Sequence, residues 1–427
     1  MIILALAKHL VWSRRDGHGG IMTLYYYDEM NWIVAALAIA LLTWFFVKRY
    51  QRMRALRRLR RPNNYRILKR VVKIKNDLSE RYLRPGFSSS IHAVGIGKLG
   101  GADDYCIQVF VDDANKELWA GAGTASLPQS YRGVPLVLIE MPMAGFLSVG
   151  TQNVAAPLEQ YCEGIREQQD VIVGGISGAN SNLTGESGTI GYFCTRRSRF
   201  SRRKEIHLLS NSHVFADLRK TTVDEGDLIM QPSPGEPASS RPVGSLVNFA
   251  PLKFAGDVSD ANHVDAAIAR LWEAERHDSV IPMIGAIKGH VEKRDVEIGE
   301  GARKFGRTTG YTEGTVFSIC LDIWIRYDRT GQSAYFQNQF LIEPCVPKFT
   351  KFVDKGDSGS LVVDKNQHAI GLIFGGMAEL PESQTTPAPL ETNQPDSAAS
   401  RPKRVESYGV ANPISEVLER MKIELLV

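Results

Sequence analysis

The sequence predicts a mainly β protein that is preceded by a small α+β region and one apolar helix. Between residues 171 and 376, short β-forming runs alternate with Gly, Pro and Asn turns. Residues 63–150 instead combine one amphipathic helical pattern with three β-runs, and residues 32–47 are almost continuously apolar. The 427 residues are enough for two or three domains.

Composition excludes several classes of protein. Hydrophobic residues make up 43% and charged residues 23% of the chain, which rules out a wholly disordered chain, a collagen or a polytopic membrane protein. Five cysteines are too few, and an odd number, for a disulfide scaffold. No Cys and His residues have the spacing of zinc ligands. We therefore expect free thiols in a reducing compartment, and neither a metal nor an organic cofactor.

The apolar run at residues 32–47 predicts a single transmembrane helix after a short N-terminal segment, residues 1–31. Thr43 is the only polar residue among its 16. A helix of that length spans about 24 Å, against roughly 30 Å of hydrocarbon, and Lys48 and Arg49 can extend it by snorkelling. Acidic residues precede the run and cations follow it, which is the reverse of a cleaved signal peptide.

Residues 48–62 form a basic juxtamembrane segment, with eight cations and no acid in 48–61. Positive charge on this side predicts that the N-terminus is outside and that everything after it is cytoplasmic. Anionic lipid headgroups are the favoured partner, so that residues 32–61 together would associate with the membrane. Nucleic acid is the less favoured partner of the same charges.

The elements that follow can be assigned in order. Residues 63–83 predict a helix, residues 91–99 and 105–111 predict strands, and a loop within 127–142 leads into a third strand. Later β-runs lie at 188–194, 205–211, 264–272, 314–327, 336–344, 359–364 and 369–376. Residues 378–404 are rich in Pro, Ser, Thr and Ala and predict a disordered loop. A last strand at 407–412 and a helix at 413–427 end the chain.

Three segments carry the residues of a catalytic site. His213 follows an apolar strand, Asp265 lies within an apolar run, and Ser358 lies in the glycine-rich sequence GDSGS. A serine hydroxyl becomes nucleophilic when a histidine takes its proton, and a buried carboxylate orients that histidine. Gly356 allows the backbone conformation that aims its own N–H and that of Ser358 at a developing oxyanion.

Three other carboxylates compete with Asp265 for this role. Asp217 follows the histidine too closely to lie behind its ring, while Asp257 and Asp260 lie in a polar turn. A carboxylate buried in an apolar run needs a partner, so Asp265 is the predicted acid of the triad.

Residues 171–427 resemble a trypsin-like, chymotrypsin-fold serine protease of the bacterial trypsin-like group. The resemblance is carried by LLSNSHVFA (208–216), NHVDAAIARL (262–271), FGRTTGYTEG (305–314), GDSGSLVV (356–363) and GLIFGG (371–376). Residues 91–142 resemble the small domain that precedes the protease in that group. The resemblance implies a double six-stranded β-barrel with the active site between the barrels. Barrel one would then supply His213 and Asp265, and barrel two would supply Ser358.

The same resemblance implies where the specificity pocket lies. Phe352 to Asp354 would form its base, and Phe374, Gly375 and Gly376 would form one wall. Phe352 favours an apolar residue before the scissile bond and Asp354 favours a basic one, so both remain open.

Residues 172–175 (IVGG) are similar to the new N-terminus of activated secreted proteases, whose amine would pair with Asp357. Val171 precedes them where a basic cleavage residue is expected. Asp357 therefore needs another partner, a basic side chain or backbone amides, which the sequence does not identify.

The favoured function is a membrane-anchored cytoplasmic serine endopeptidase that acts on protein or peptide substrates. The alternative is a catalytically silent protease fold that serves as a binding scaffold at the membrane. An esterase is disfavoured because no GxSxG elbow surrounds Ser358. The natural substrate, the oligomeric state and any need for activation are not predicted.

Overall fold

The computed structural model describes ten ranges of the chain: 65–83, 91–100, 104–112, 128–145, 164–183, 185–197, 205–224, 226–254, 260–378 and 405–427. The predicted transmembrane helix, its basic flank and the segment before it lie outside the described residues, as does the predicted loop after residue 378. None of the described helices has the length and apolar character needed to cross a bilayer. All the described ranges belong to one compact unit, residues 64–427.

In its described residues, the N-terminal region has one helix and five strands. The helix and three of the strands lie close to the predicted positions, whereas two strands of two residues each were not predicted. These elements are α1 (Tyr65–Tyr82), β1 (Ile91–Lys98), β2 (Tyr105–Val111), β3 (Ser130–Tyr131), β4 (Val134–Glu140) and β5 (Ala144–Gly145). β1 pairs antiparallel with β2, and β2 pairs parallel with β4. All residues of β1 and β2 are buried except Lys98, which is half-buried, so this small sheet is covered on both faces.

A seven-stranded antiparallel sheet follows. The elements of this part are β6 (Val171–Ile172), β7 (Ile176–Ser177), β8 (Ala179–Asn180), β9 (Thr189–Ile190), β10 (Tyr192–Arg196), β11 (His207–Ser210), α2 (Ser212–Phe215), β12 (Leu228–Gln231), β13 (Arg241–Phe249) and β14 (Ala267–Leu271). The strand order is β25-β10-β11-β14-β13-β12-β8, in which β25 (Ile423–Leu425) comes from the C-terminus. The predicted C-terminal helix is therefore shorter, since α3 (Ile414–Met421) ends before this strand.

The remaining strands include a closed barrel. A linking segment contains β15 (Arg276–His277), β16 (Val280–Ile281), β17 (Gly285–Ala286), β18 (Gly289–His290) and a 3₁₀ turn (Lys293–Asp295). The barrel strands are β19 (Gly301–Gly306), β20 (Gly310–Tyr327), β21 (Gln332–Pro344), β22 (Leu361–Val363), β23 (His368–Ala378) and β24 (Ser407–Pro413). They form the ring β19-β22-β23-β24-β21-β20, which β20 closes by pairing with β19.

The mainly β architecture is confirmed, but only one of the two predicted barrels is closed by strand pairing. In the seven-stranded sheet, the end strands β25 and β8 do not pair with each other within the described ranges. This sheet encloses a large apolar core with residues from β10, β11, β14 and α3.

The small N-terminal sheet continues the sheet of the closed barrel. β1 pairs antiparallel with β20, with Ala93 opposite Ile323 and Ile96 opposite Ile319. Strands from both regions consequently share one apolar core, which includes Val94 and Ile107 on one side and Val316 and Ile342 on the other. The predicted boundary at residue 150 stays a prediction, but the strands before it are part of a sheet that the barrel shares.

A buried ion pair fastens helix α1 to the barrel. The apolar face of α1 is buried at Val71, Ile74 and Leu78. Among them, the Lys75 ammonium donates to Asp322 Oδ2 on β20 at 2.6 Å, and both side chains are almost fully buried. A buried charge is costly when its partner is removed, so this pair ties the helix to one register on the sheet.

Replacing Lys75 by alanine is expected to destabilise the protein by about 3 kcal/mol, because Asp322 would be left buried without its cation. Chemical denaturation of the purified full chain measures the change. Lys73→Ala is the matched control, since Lys73 is exposed on the same helix. An equal loss in both variants would contradict this role of the ion pair.

Candidate active site

His213 is held in place by a short turn that follows strand β11. The turn is the helix α2, and Ser212 Oγ contacts the carbonyl oxygens of Ala250 and Ala266 at 2.8 and 2.9 Å. Asn211 Nδ2 donates to the carbonyl of Asp265 at 2.7 Å. Asn211 and Ser212, which directly precede His213, are thus both bonded to the segment that carries Asp265, and this holds His213 next to that residue.

Asp265 lies directly behind the His213 ring. His213 Nδ1 is 2.5 Å from Asp265 Oδ2, and the backbone N–H of His213 donates to Oδ1 at 3.2 Å. The carboxylate is fully buried, and the Asp265 backbone N–H donates to Asn412 Oδ1 at 2.8 Å. A carboxylate in this position selects the imidazole tautomer whose other nitrogen can accept a proton.

The structure brings Ser358 to the same cavity as His213. The two side chains line one cavity together with Tyr327, Arg329 and Gly356, among others. Both are nearly buried, with 6% of His213 and 7% of Ser358 exposed, so a reaction there is shielded from bulk water. The predicted triad residues therefore meet at one site, and their catalytic role stays a prediction.

The rival carboxylates lie elsewhere or outside the described residues. Asp217 makes a two-pronged ion pair with Arg219, at 2.7 Å from Nη2, and Asp260 is exposed near Lys253. Asp257 is outside the described residues. The geometry accordingly favours Asp265, as the sequence predicts.

The loop before and after Ser358 has the backbone conformation that the glycines allow. Gly356 has φ +99° and Gly359 has φ +97°. A Cβ on Gly359 would lie 2.2 Å from the carbonyl oxygen of Thr189, so no other residue fits there. Within the described residues, the N–H groups of Gly356 and Ser358 donate to no acceptor. Two such N–H groups beside a serine are what an oxyanion site requires.

Asp357 is paired with Lys304, a residue that the sequence interpretation missed. Lys304 Nζ lies 3.3 Å from Asp357 Oδ2, and both side chains are fully buried. The Thr309 hydroxyl donates to Oδ2 at 2.7 Å, and the backbone N–H groups of Thr308 and Asp354 donate to the carboxylate at 2.8 and 2.9 Å.

These contacts decide the charge of Asp357. Burial alone would raise the pKa of its carboxyl, but the Lys304 ammonium, the Thr309 hydroxyl and the backbone N–H groups outweigh burial and hold the pKa below its usual value. The sequence contains one signal for Lys304. In GARKFG, it takes an inward position of an alternating strand, where an unpaired lysine would be unfavourable.

The predicted pocket residues divide into two groups. Asp354, Gly375 and Gly376 line a second, smaller cavity together with Ser358. Phe352 and Phe374 are fully buried in the core and line neither of the two cavities beside Ser358. Asp354 is also bonded to Lys351 Nζ at 3.0 Å, so part of its charge is already neutralised.

The chain's own strand β5 enters this second cavity. Gly145 lines it with Ser358, and pairs antiparallel with Gly376 of β23. Ala144 pairs with Ile325 of β20, so that β5 lies between two barrel strands. The sequence predicted no strand here, because two residues form too short a run to show a β pattern.

Contacts with the N-terminal sheet hold the segment that leads into β5. His92 Nε2 donates to the carbonyl of Met141 at 2.6 Å, and the Met143 N–H donates to Asp112 Oδ1 at 2.8 Å. The small region is thus connected directly to the surroundings of Ser358.

A third donor to Asp265 was also missed. The Tyr327 hydroxyl donates to Asp265 Oδ2 at 2.9 Å, from the last residue of β20. No sequence signal marks a tyrosine at the end of a long strand as a neighbour of a distant aspartate.

Among the described residues, no three His, Cys, Asp or Glu side chains are grouped as a metal site requires.

Lys304→Met is expected to lower stability at neutral pH by about 3 kcal/mol, because Asp357 would lose its buried cation. The Asp357 pKa is depressed in the folded protein, so its stabilisation is complete above the unfolded value of about 3.9 and is lost as pH falls below it. The stability difference between wild type and variant should therefore narrow below about pH 4. Lys348→Met, which removes an exposed cation, is the control. A difference that stays constant with pH would contradict the assignment.

No protein-family model matches the chain, and no curated protein matches it. Solved structures match about three-fifths of it. Thermobifida fusca Protease A is 17% identical, with a TM-score of 0.36, over 60% of this chain and 99% of its own. Nocardiopsis Protease is 16% identical, with a TM-score of 0.36, over 60% and 99%. Cellulomonas bogoriensis chymotrypsin is 15% identical, with a TM-score of 0.34, over 60% and 98%. The chain is thus similar to two proteases and a chymotrypsin over this part of its length.

Proposed function

We propose that the protein is a serine endopeptidase that cleaves peptide bonds through Ser358, His213 and Asp265. The observation that carries the proposal is the 2.5 Å contact between His213 Nδ1 and Asp265 Oδ2 beside a cavity that Ser358 also lines. A buried His–Asp pair next to a serine between positive-φ glycines is suited to acyl transfer.

The reaction proceeds in two halves. Ser358 Oγ attacks the carbonyl carbon of the scissile bond while its proton passes to His213 Nε2. The N–H groups of Gly356 and Ser358 stabilise the oxyanion, and the bond to the leaving nitrogen breaks as His213 returns the proton to it. Water then attacks the acyl-enzyme in the same way, which releases the acid product and restores the serine. Asp265 orients His213 and balances its positive charge throughout.

An extended peptide is the substrate conformation that the site supports. Strand β5 lies against Gly376 as an antiparallel partner, within a cavity that Ser358 lines. A substrate strand would use the same backbone N–H and C=O groups of β23, with specificity set by the adjoining cavity.

We further propose that β5 keeps the enzyme partly latent. Strand β5 is paired with β23 and β20, so it competes with any substrate strand for the backbone groups of β23 near Gly376. Release of β5 would then be the activating step, and the small region that holds it at Met141 and Met143 would regulate this release. The same occupied edge is the observation that favours the alternative function, a catalytically silent binding scaffold.

Membrane attachment is a proposal that rests on residues 32–61 alone. An apolar run followed by eight cations supports a single-pass anchor with the protease in the cytoplasm. Protease protection of the intact chain in sealed membrane vesicles tests this topology.

Wild-type full chain is expected to react covalently with a fluorophosphonate probe, while Ser358→Ala and His213→Ala are expected to lose labelling by at least about 100-fold. In-gel fluorescence measures the labelled fraction with time. Ser360→Ala is the control, because Ser360 is buried and donates to the Asp357 carbonyl rather than facing His213. Labelling that survives in Ser358→Ala would contradict the assignment of the nucleophile.

Asp112→Ala is expected to speed this labelling about fivefold, because β5 loses a hydrogen bond worth roughly 1 kcal/mol that holds it in the cleft. The Asp112 carboxylate accepts from the Met143 N–H, and Asp104 on the same sheet makes no such contact. Asp104→Ala is therefore the matched control. Unchanged or slower labelling in Asp112→Ala would contradict latency through β5.

A further inference from the structure

The triad carboxylate receives hydrogen bonds from both sides of the cleft. Asp265 Oδ1 accepts the His213 backbone N–H, and Oδ2 faces His213 Nδ1. Oδ2 also accepts the Tyr327 hydroxyl at 2.9 Å. His213 and Asp265 follow or precede strands of the seven-stranded sheet, whereas Tyr327 ends β20 of the closed barrel. Tyr327, from the sheet of the closed barrel, thus donates a hydrogen bond to Asp265, which precedes a strand of the seven-stranded sheet.

We propose that Tyr327 is a positioning residue for the triad. Its hydroxyl fixes the carboxylate of Asp265 in the orientation that presents Oδ2 to His213 Nδ1. The catalytic consequence of this role rests on the proposed function, whereas the hydrogen bonding itself does not.

The Tyr327 ring is held rigidly enough for this role. It is fully buried and packs edge to face with Phe254, with centroids 5.5 Å apart and planes at 85°. It stacks on Phe336 at 6.4 Å and 28°, and its other neighbour is the His213 ring at 5.9 Å and 73°. Aromatic packing on several sides leaves the ring little freedom, so the position of its hydroxyl is set before substrate arrives.

The hydroxyl also stays protonated. Burial, and then the negative charge and the hydrogen bond of Asp265, raise the pKa of Tyr327 well above its usual value. It therefore remains a donor over the whole pH range in which a histidine base works. Phe374 of β23 packs at a tilt against Phe336, with ring centroids 4.7 Å apart and planes at 49°, and it has no polar atom that could replace this donor.

Two donors on Oδ2 and one on Oδ1 fix the plane of the Asp265 carboxylate. With the Tyr327 hydroxyl removed, only the two donors from His213 would remain of these three, and the carboxylate could tilt about its Cβ–Cγ bond away from His213 Nδ1. A positioning role therefore predicts that the His213–Asp265 hydrogen bond changes when only the phenolic oxygen is deleted.

Tyr327→Phe in the full chain tests this, because it deletes that oxygen and keeps the ring. The readout is the far-downfield proton resonance of His213 Nδ1–H, which is identified by its absence in His213→Ala. We expect it to shift or disappear in Tyr327→Phe, and fluorophosphonate labelling to slow about tenfold. Tyr311→Phe is the matched control, since it removes a hydroxyl that donates to another carboxylate, Glu313, at 2.7 Å.

The possible outcomes separate this proposal from the proposed function. A resonance that is unchanged in Tyr327→Phe overturns the positioning role, whether or not the protein labels. If the resonance shifts in Tyr327→Phe but the wild type does not label, the positioning role is supported and the proposed protease activity is contradicted. If Tyr327→Phe fails to fold, a measurement on the wild-type protein alone tests the positioning role. A nuclear Overhauser contact between the downfield proton and a tyrosine hydroxyl supports the proposal, and its absence overturns it.

Discussion

The buried carboxylate of Asp265 is the point at which the two sheets of this protein depend on each other. The carboxylate is bonded to His213 Nδ1 from its own side of the cleft and accepts the Tyr327 hydroxyl from the barrel. Asn412 of β24 accepts the backbone N–H of Asp265. A fully buried carboxylate is tolerated only when it is well hydrogen-bonded. Since those bonds come from both sheets, the sheets must assemble in one arrangement for the charge to be satisfied, and that arrangement places His213 beside Ser358.

A second buried charge organises the serine loop. Asp357 precedes Ser358, and its carboxylate is held by Lys304 and by several N–H and O–H donors. These bonds fix the turn in which Gly356 takes a positive φ, and so they aim the two N–H groups that would bind an oxyanion. Lys304 lies within the folded barrel, on β19. The loop is accordingly supported by an internal cation, and Ile172 of the IVGG segment lies in β6.

Local patterns predicted the mainly β fold, about half of the described strands and the residues that meet at the cavity. His213, Asp265 and Ser358 could be found because each has a distinctive local setting: His213 follows an apolar strand, Asp265 lies within an apolar run, and Ser358 lies between glycines. Lys304 and Tyr327 could not be assigned roles, because their partners are 53 and 62 residues away and no local pattern records such pairing. Strand β5 could not be predicted for the same reason, because it is defined by its pairing with β20 and β23 rather than by a pattern in its own two residues.

The pairing of β1 with β20, which joins the two regions in one sheet, could likewise not be predicted from the sequence. Both strands read as ordinary β-runs, and each could have formed the edge of a separate sheet. Their pairing joins the N-terminal region to the strand that ends at Tyr327, and β5 continues that region to Ser358. The small region is therefore part of the structure around the site, and this is the basis of the regulatory role that we propose for it.

We propose that Ser358 forms an acyl-enzyme, and the most direct test is to trap that intermediate. The full chain would be mixed with a peptide thioester and quenched in acid within one turnover, and the acylated residue would be located by peptide mass spectrometry. We expect an acyl group on Ser358 that is absent from Ser358→Ala and accumulates far more slowly in His213→Ala. An acyl group on another residue, or hydrolysis of the thioester with no enzyme-bound acyl group in any variant, would contradict it.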